Sequence, residues 1–128
     1  MRTSALMSSS ALFMGILGIA ASFMPQEILT HLGTMPNASA ALLVQTVGAL
    51  YLGFAILNWM ARNVIIGGIY ARPVALGNFL HFAMVSLTTG KAIATVAVGS
   101  RVLLAVCCVY MAFAVWFGLV LFTHPKKD

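Results

Sequence analysis

Residues 101–123 read RVLLAVCCVYMAFAVWFGLVLFT. Between Arg101 and Lys126 no Asp, Glu, Lys or Arg interrupts the run, and it lacks the period-two alternation of a membrane-barrel strand. About 20 apolar residues are what a helix needs to cross roughly 30 Å of hydrocarbon, so this run is read as a crossing. Three further apolar runs lie at 8–24, 40–60 and 73–90. Composition agrees with that reading. Of 128 residues 62% are hydrophobic and 7% charged, with a mean hydropathy of +1.03. A soluble domain carries about 25% charged residues, so this chain lacks the means to cover itself with a solvated surface. In lipid, only helices and closed barrels satisfy their own backbone. The sequence therefore predicts an all-α integral membrane bundle of four transmembrane helices, a single domain over 1–128.

The connections add detail. MPQEILTHLG (24–33) sets Pro25 and Glu27 where a helix starts and Gly33 where one stops. This predicts a short outer interfacial helix with Ile28, Leu29 and Leu32 in lipid. MPNASA (35–40) follows, and Asn37 or Ser39 is placed to cap the second crossing. Asn37-Ala38-Ser39 also has the form of a glycosylation acceptor, but its position against the membrane favours the cap. The second loop, ARNVIIGGIYARP (61–73), breaks at Gly67-Gly68, and Pro73 opens the third crossing. AIATVAVG (92–99) is too short to cross alone; it either lengthens the third helix past Lys91 or lies in the interface. The first run, with Arg2 ahead of it and IAAS (19–22) near its end, has the outline of a signal peptide. Its long, weakly basic lead favours a retained helix instead.

Orientation follows from Lys and Arg in the short loops. With four crossings, Arg2, Arg62, Arg72, Lys126 and Lys127 share one side, and only Lys91 and Arg101 of the seven basic residues fall on the other. Both termini are therefore expected in the cytoplasm, in a bacterial inner membrane or its equivalent. Arg62, Arg72, Lys126 and Lys127 would form a collar for anionic lipid headgroups. The net charge of +5 is assigned to that collar and not to nucleic acid, because no basic-aromatic domain stands outside the membrane.

Polar residues inside the spans are the candidate site. At 3.6 residues per turn, Gly77, Asn78, His81, Val85, Thr88 and Lys91 fall on one face of the third crossing. Gln45, Gly48, Tyr51, Ala55, Asn58 and Arg62 form a similar stripe on the second. Such groups usually point into a bundle, where they find partners. Gln45, Tyr51, Asn58, Asn78, His81 and Thr88 are thus expected to line an interhelical seam. The seam is either packing glue, at about 0.6 kcal/mol per hydrogen bond, or a site for a lipid, quinone, ion or other ligand. His81 is its most informative member, since imidazole titrates near pH 6.5 in water. Small residues at Gly18/Ser22, Ala49/Gly53 and Ala114/Gly118 have the i, i+4 spacing that lets helices approach closely. Phe113, Trp116, Phe117 and Phe122 give the fourth crossing an aromatic surface, for lipid or for an oligomer contact.

Most chemistries lack their parts. Glu27 and Asp128 are the only carboxylates, so paired-carboxylate hydrolysis, a Ser-His-Asp triad and carboxylate-held magnesium are not expected. No acid sits inside a span to carry protons. His31, His81 and His124 lie at different depths, which argues against a shared metal or haem. Cys107 and Cys108 are helix neighbours whose side chains diverge by about 100°, and they read as packing residues. No metal and no dedicated cofactor is expected.

MPQEILTHLG and the glycine-aromatic spacing of GALYLGFAILNWMAR (48–62) resemble the small four-helix DoxX-like bacterial membrane proteins across the first two crossings. The resemblance implies a four-helix bundle and carries over no catalytic residue. This chain departs from it in that no acid accompanies Arg62 or Arg72 within the bundle. The expected function is that of a non-catalytic accessory or assembly subunit, with a polar seam suited to a lipid or apolar cofactor. Expected partners are the bilayer, anionic headgroups, and a homo-oligomer or larger membrane complex. The alternative is a small oligomeric channel or carrier for a small solute or ion, its path lined by Gln45, Asn58, Asn78 and His81.

Overall fold

The computed structural model describes residues 3–64, 69–96 and 101–123. Among them every regular element is helical: α1 (Thr3–Phe23), α2 (Pro25–His31), α3 (Ala38–Met60), α4 (Arg72–Val96) and α5 (Arg101–Thr123), with 3₁₀ turns at Ala61–Asn63 and Ile69–Ala71. Three stretches, Thr3–Phe23, Ala38–Asn63 and Arg101–Thr123, are long and apolar enough to cross a membrane. α4 has 25 residues, or about 37 Å at 1.5 Å per residue, but Asn78, His81, Ser86, Thr88, Thr89 and Lys91 lower its hydropathy. The spans read at 8–24, 40–60 and 73–90 each began late, by five, two and one residues, and α4 extends beyond 90. It runs through Lys91 to Val96, so AIATV continues that helix; 97–99, the rest of that octapeptide, lie outside the described residues.

Local chemistry explains the boundaries. Pro25 enters the first turn of α2, Glu27 stands at its positive end and His31 in its last turn. Gly33 takes φ +72°, and Thr34 N–H reaches back to the Leu29 carbonyl at 3.0 Å. That bond closes the helix in a left-handed cap suited to glycine. Asn37 is extended, and its Oδ1 accepts the Ala40 N–H at 2.8 Å, which starts α3. Ser10, Thr46, Ser86, Thr88 and Thr95 each donate to a carbonyl one turn back, as do Thr89 and Thr123. Mid-helix hydroxyls turned onto their own backbone need no outside partner.

The distribution of side chains is inverted relative to a soluble protein. Ser10, Asn58, Asn78 and Ser86 are at most 2% exposed, while Phe23, Met60, Val102 and Phe122 are 79%, 74%, 72% and 69% exposed. Buried polar groups beneath an apolar exterior suit hydrocarbon, not water.

The chain divides into two compact units, one of residues 7–63 and the other of residues 1–6 with 64–128. In the first, α1 and α3 meet at small residues. A Cβ on Gly18 would lie 2.9 Å from the Leu52 amide nitrogen, and one on Gly48 would lie 2.8 Å from that of Ser22. Side chains larger than hydrogen therefore do not fit at this spacing. α2 lies against α3, and Leu29 is buried. This corrects the expectation that Leu29 lies in lipid: the short helix turns one side toward the protein. Ala49 and Gly53 take no part here, since Ala49 is exposed and nothing stands within 4 Å of a Cβ on Gly53.

In the second unit, α4 packs along α5. Phe82 stacks on Phe113 and Phe117, with ring centroids 4.9 and 5.6 Å away, and meets Tyr110 at 5.4 Å. Phe117 is fully buried and Phe113 half-buried. Phe113 and Phe117 were expected on an outward aromatic surface; both instead turn onto α4. Ala114 and Gly118 are buried, as a close-packing pair should be, with Phe79 over Gly118.

Candidate functional site

The α3 stripe sits much as its spacing indicates. Gly48, Ala55 and Asn58 are buried, and Tyr51 and Arg62 are half-buried. Asn58 Nδ2 donates to Ser10 Oγ at 3.1 Å, and Ser10 Oγ in turn donates to the Met7 carbonyl at 3.0 Å. The result is a polar chain from α3 into the backbone of α1. Gln45 is exposed, and its Nε2 donates to the Ser22 carbonyl at 3.4 Å. Both amides therefore tie α3 to α1.

α4 is turned differently from its reading. Its buried positions are Ala75, Asn78, Phe82 and Ser86, which lie about 100°, one residue, around the helix from the centre of the polar stripe. Asn78 is common to both faces, and its Nδ2 donates to the Val74 carbonyl at 2.9 Å. His81 is half-buried, with its ring 5.2 Å from Phe82 and 5.8 Å from Tyr110. Thr88 is exposed and bonds only into its own helix among the contacts described, to Met84 and Val85. Lys91 is exposed as well. The aromatic demand of Phe82 for the rings of α5 sets this rotation, and a count of polar residues does not register it.

Of the basic collar, Arg62 lies 4.2 Å over the Trp59 ring and donates to the Trp59 carbonyl at 2.6 Å. A cation there completes the open end of α3 beside an aromatic of the kind found at membrane interfaces. Arg72 is exposed at the first position of α4. Lys126 and Lys127 lie outside the described residues, as do Arg2 and His124. Cys107 Sγ is 3.6 Å from the Ser86 carbonyl and Cys108 is exposed. Among the described residues no three of His, Cys, Asp and Glu come together as a metal site.

The seam residues thus fall into two sets, each within its own unit: Gln45, Tyr51 and Asn58 in one, Asn78, His81 and Thr88 in the other. Sequence reasoning missed Ser10 and Ser22 as acceptors for α3, and Phe82 and Tyr110 as the surroundings of His81. The signal for the serines was present, because Ser22 belongs to the small pair with Gly18; that for Phe82 was hidden among apolar neighbours. No family model, curated protein or solved structure matches the chain.

Proposed function

We propose that this chain is an integral membrane protein of four crossings, with α4 as the fourth, that serves as a non-catalytic accessory or assembly subunit. The observation that carries the reading is the outer face of α3. Leu42, Ile56 and Met60 are 64%, 62% and 74% exposed, and between them Ala49 and Gly53 offer a flat strip that no part of the described chain fills. In lipid, where helix association rests on close packing and not on apolarity, such a strip suits the helix of another subunit. The amides of Asn58, Gln45 and Asn78 support this role, since their bonds are to the protein's own helices.

The membrane is that of a bacterial inner membrane or its equivalent, with both termini cytoplasmic. The five-to-two division of Lys and Arg supports this orientation, and the four-helix count is that of the DoxX-like proteins the chain resembles.

The test is native electrophoresis of the tagged full chain, extracted from its own membranes in mild detergent. The expected band is an assembly larger than, and no simple multiple of, the 13.6 kDa chain. Gly53→Leu should release the chain from it with helicity unchanged. A chain that runs alone or as a homo-oligomer and conducts ions in a planar bilayer would overturn the accessory role and leave the channel.

A further inference from the structure

A second feature of the exterior has the shape and chemistry of a ligand site. On α4, Arg72, Leu76, Phe79, Ala83 and Leu87 recur at i, i+4, i+7, i+11 and i+15, so they share one face. On α5, Met111, Val115, Gly118 and Phe122 do the same. Where these faces meet, an open groove begins beside Arg72 with a cavity of about 510 Å³. It continues past Phe122 as a second cavity of about 400 Å³ that reaches Leu87 and Met111. The floor is made of small residues, Ala83, Ser86, Ala114 and Gly118. Beyond Arg72 the lining is almost wholly apolar.

Length and charge identify the occupant. From Arg72 to Leu87 is 15 residues of helix, about 22 Å. One leaflet with its headgroup zone is about 20–22 Å deep, half of the 40–45 Å bilayer. Among the described residues that line the groove the one cation, Arg72, stands at the end that the charge asymmetry places at the cytoplasmic surface, where anionic lipids are found. A partner helix would need a face of large side chains over the small floor and gains nothing from Arg72. A neutral lipid would fill the groove and leave the guanidinium unused.

We propose that the α4–α5 groove binds one anionic phospholipid of the cytoplasmic leaflet, its phosphate on Arg72 and an acyl chain laid along Phe79, Ala83 and Leu87 against Val115 and Phe122. The site rests on α4 crossing the membrane but not on the accessory role, which concerns α3 of the other unit. The guanidinium binds phosphate in a bidentate fork, and the small floor lets the chain lie below the helix ridges.

The test is native mass spectrometry of the full chain from nanodiscs of equal phosphatidylglycerol and phosphatidylcholine. The chain should retain one phosphatidylglycerol in preference to phosphatidylcholine. Arg72→Gln should reduce that preference about fivefold, the worth of one interfacial cation, while Arg72→Lys keeps most of it. Ala83→Phe should fill the floor and abolish retention of both lipids, with helicity intact. Arg62→Gln, a cation on the same side but outside the groove, should change nothing. An unchanged preference in Arg72→Gln, or unchanged retention in Ala83→Phe, would overturn the proposal. So would a dimer that carries no lipid and dissociates in Ala83→Phe, which would put a second copy in the groove. Failure of the accessory role would show in the native assembly and leave these lipid counts untouched.

Discussion

Replacing Gly48 by alanine adds one methyl group at the closest approach of α1 and α3. At an open helix position that change stabilises by up to about 1 kcal/mol. Here the new Cβ would stand 2.6 Å from Ser22 Oγ, 2.8 Å from the Ser22 nitrogen and 3.0 Å from the Ala21 carbonyl carbon. Two of those atoms are backbone, so no rotamer change relieves the clash. Contact distances of about 3.5–4.0 Å between carbons require the helices to part by roughly 0.5–1 Å, and a gap of that size forfeits a quarter to a half of each dispersion contact along the seam. Overpacking of this kind costs about 1–3 kcal/mol. Because backbone must move, the upper half of that range applies, and after the gain in helix propensity the net loss is about 1–2 kcal/mol. Gly53, five residues on in the same helix, has nothing within 4 Å of its own Cβ position, so Gly53→Ala should be neutral or stabilising. The two variants are compared by reversible unfolding of the full chain in mixed micelles, with dodecyl sulfate as denaturant and far-ultraviolet circular dichroism as the readout. Gly48→Ala as stable as Gly53→Ala would refute the close crossing of α1 and α3.

Three other outcomes test separate parts of the structure. In a double-mutant cycle, Ser10→Ala and Asn58→Ala should show a coupling of about 0.6 kcal/mol, and no more than about 1.7; additivity would mean that the two side chains do not meet. Phe82→Ala removes the three aromatic pairs that join α4 to α5 through Phe82, worth roughly 0.5–1.5 kcal/mol each, and should destabilise by about 2–4 kcal/mol in the same micelle assay, whereas Leu80→Ala, on an exposed position, should change stability by less than about 0.5 kcal/mol. Asn37→Ala should lose about 0.5–2 kcal/mol with the helix cap, and Asn37→Ser should restore most of it; equal losses in both variants would show that the cap bond to Ala40 is not the cause.

The sequence made α3 and α5 legible for different reasons. Residues 102–123 carry no charge, and every residue of the run read as a crossing, Arg101–Thr123, is helical. The face of α3 was legible because its polar and small residues, Gly48, Ala55 and Asn58, are the ones its neighbour α1 requires to be small or hydrogen-bonded. α4 violated the same logic. Its hydroxyls bond to their own turn, so Thr88 needs no interior, and the ring of Phe82 decides which side is buried. Spacing alone does not distinguish a polar group that seeks a partner from one already satisfied by its own backbone. The first span, read at 8–24, also began late: α1 starts at Thr3, ahead of the continuous apolar run, and Ser10 donates to Met7 within that helix. The Arg72 groove was half legible, as the cation was marked for lipid headgroups, but the alignment of Phe79, Ala83 and Leu87 beneath it depends on how α5 lies along α4.

The crossing of the membrane by α4 is tested most directly by labelling two positions from outside intact cells. Cys107 and Cys108 are first replaced by serine, and a single cysteine is then introduced as Asn37→Cys or as Lys126→Cys. With four crossings and cytoplasmic termini, Asn37→Cys should react with an impermeant maleimide and Lys126→Cys should react only after permeabilisation. If α4 does not cross, α5 runs the other way, and both positions should label in intact cells. Labelling of both would contradict the four-span architecture, and the reversed pattern would contradict its orientation.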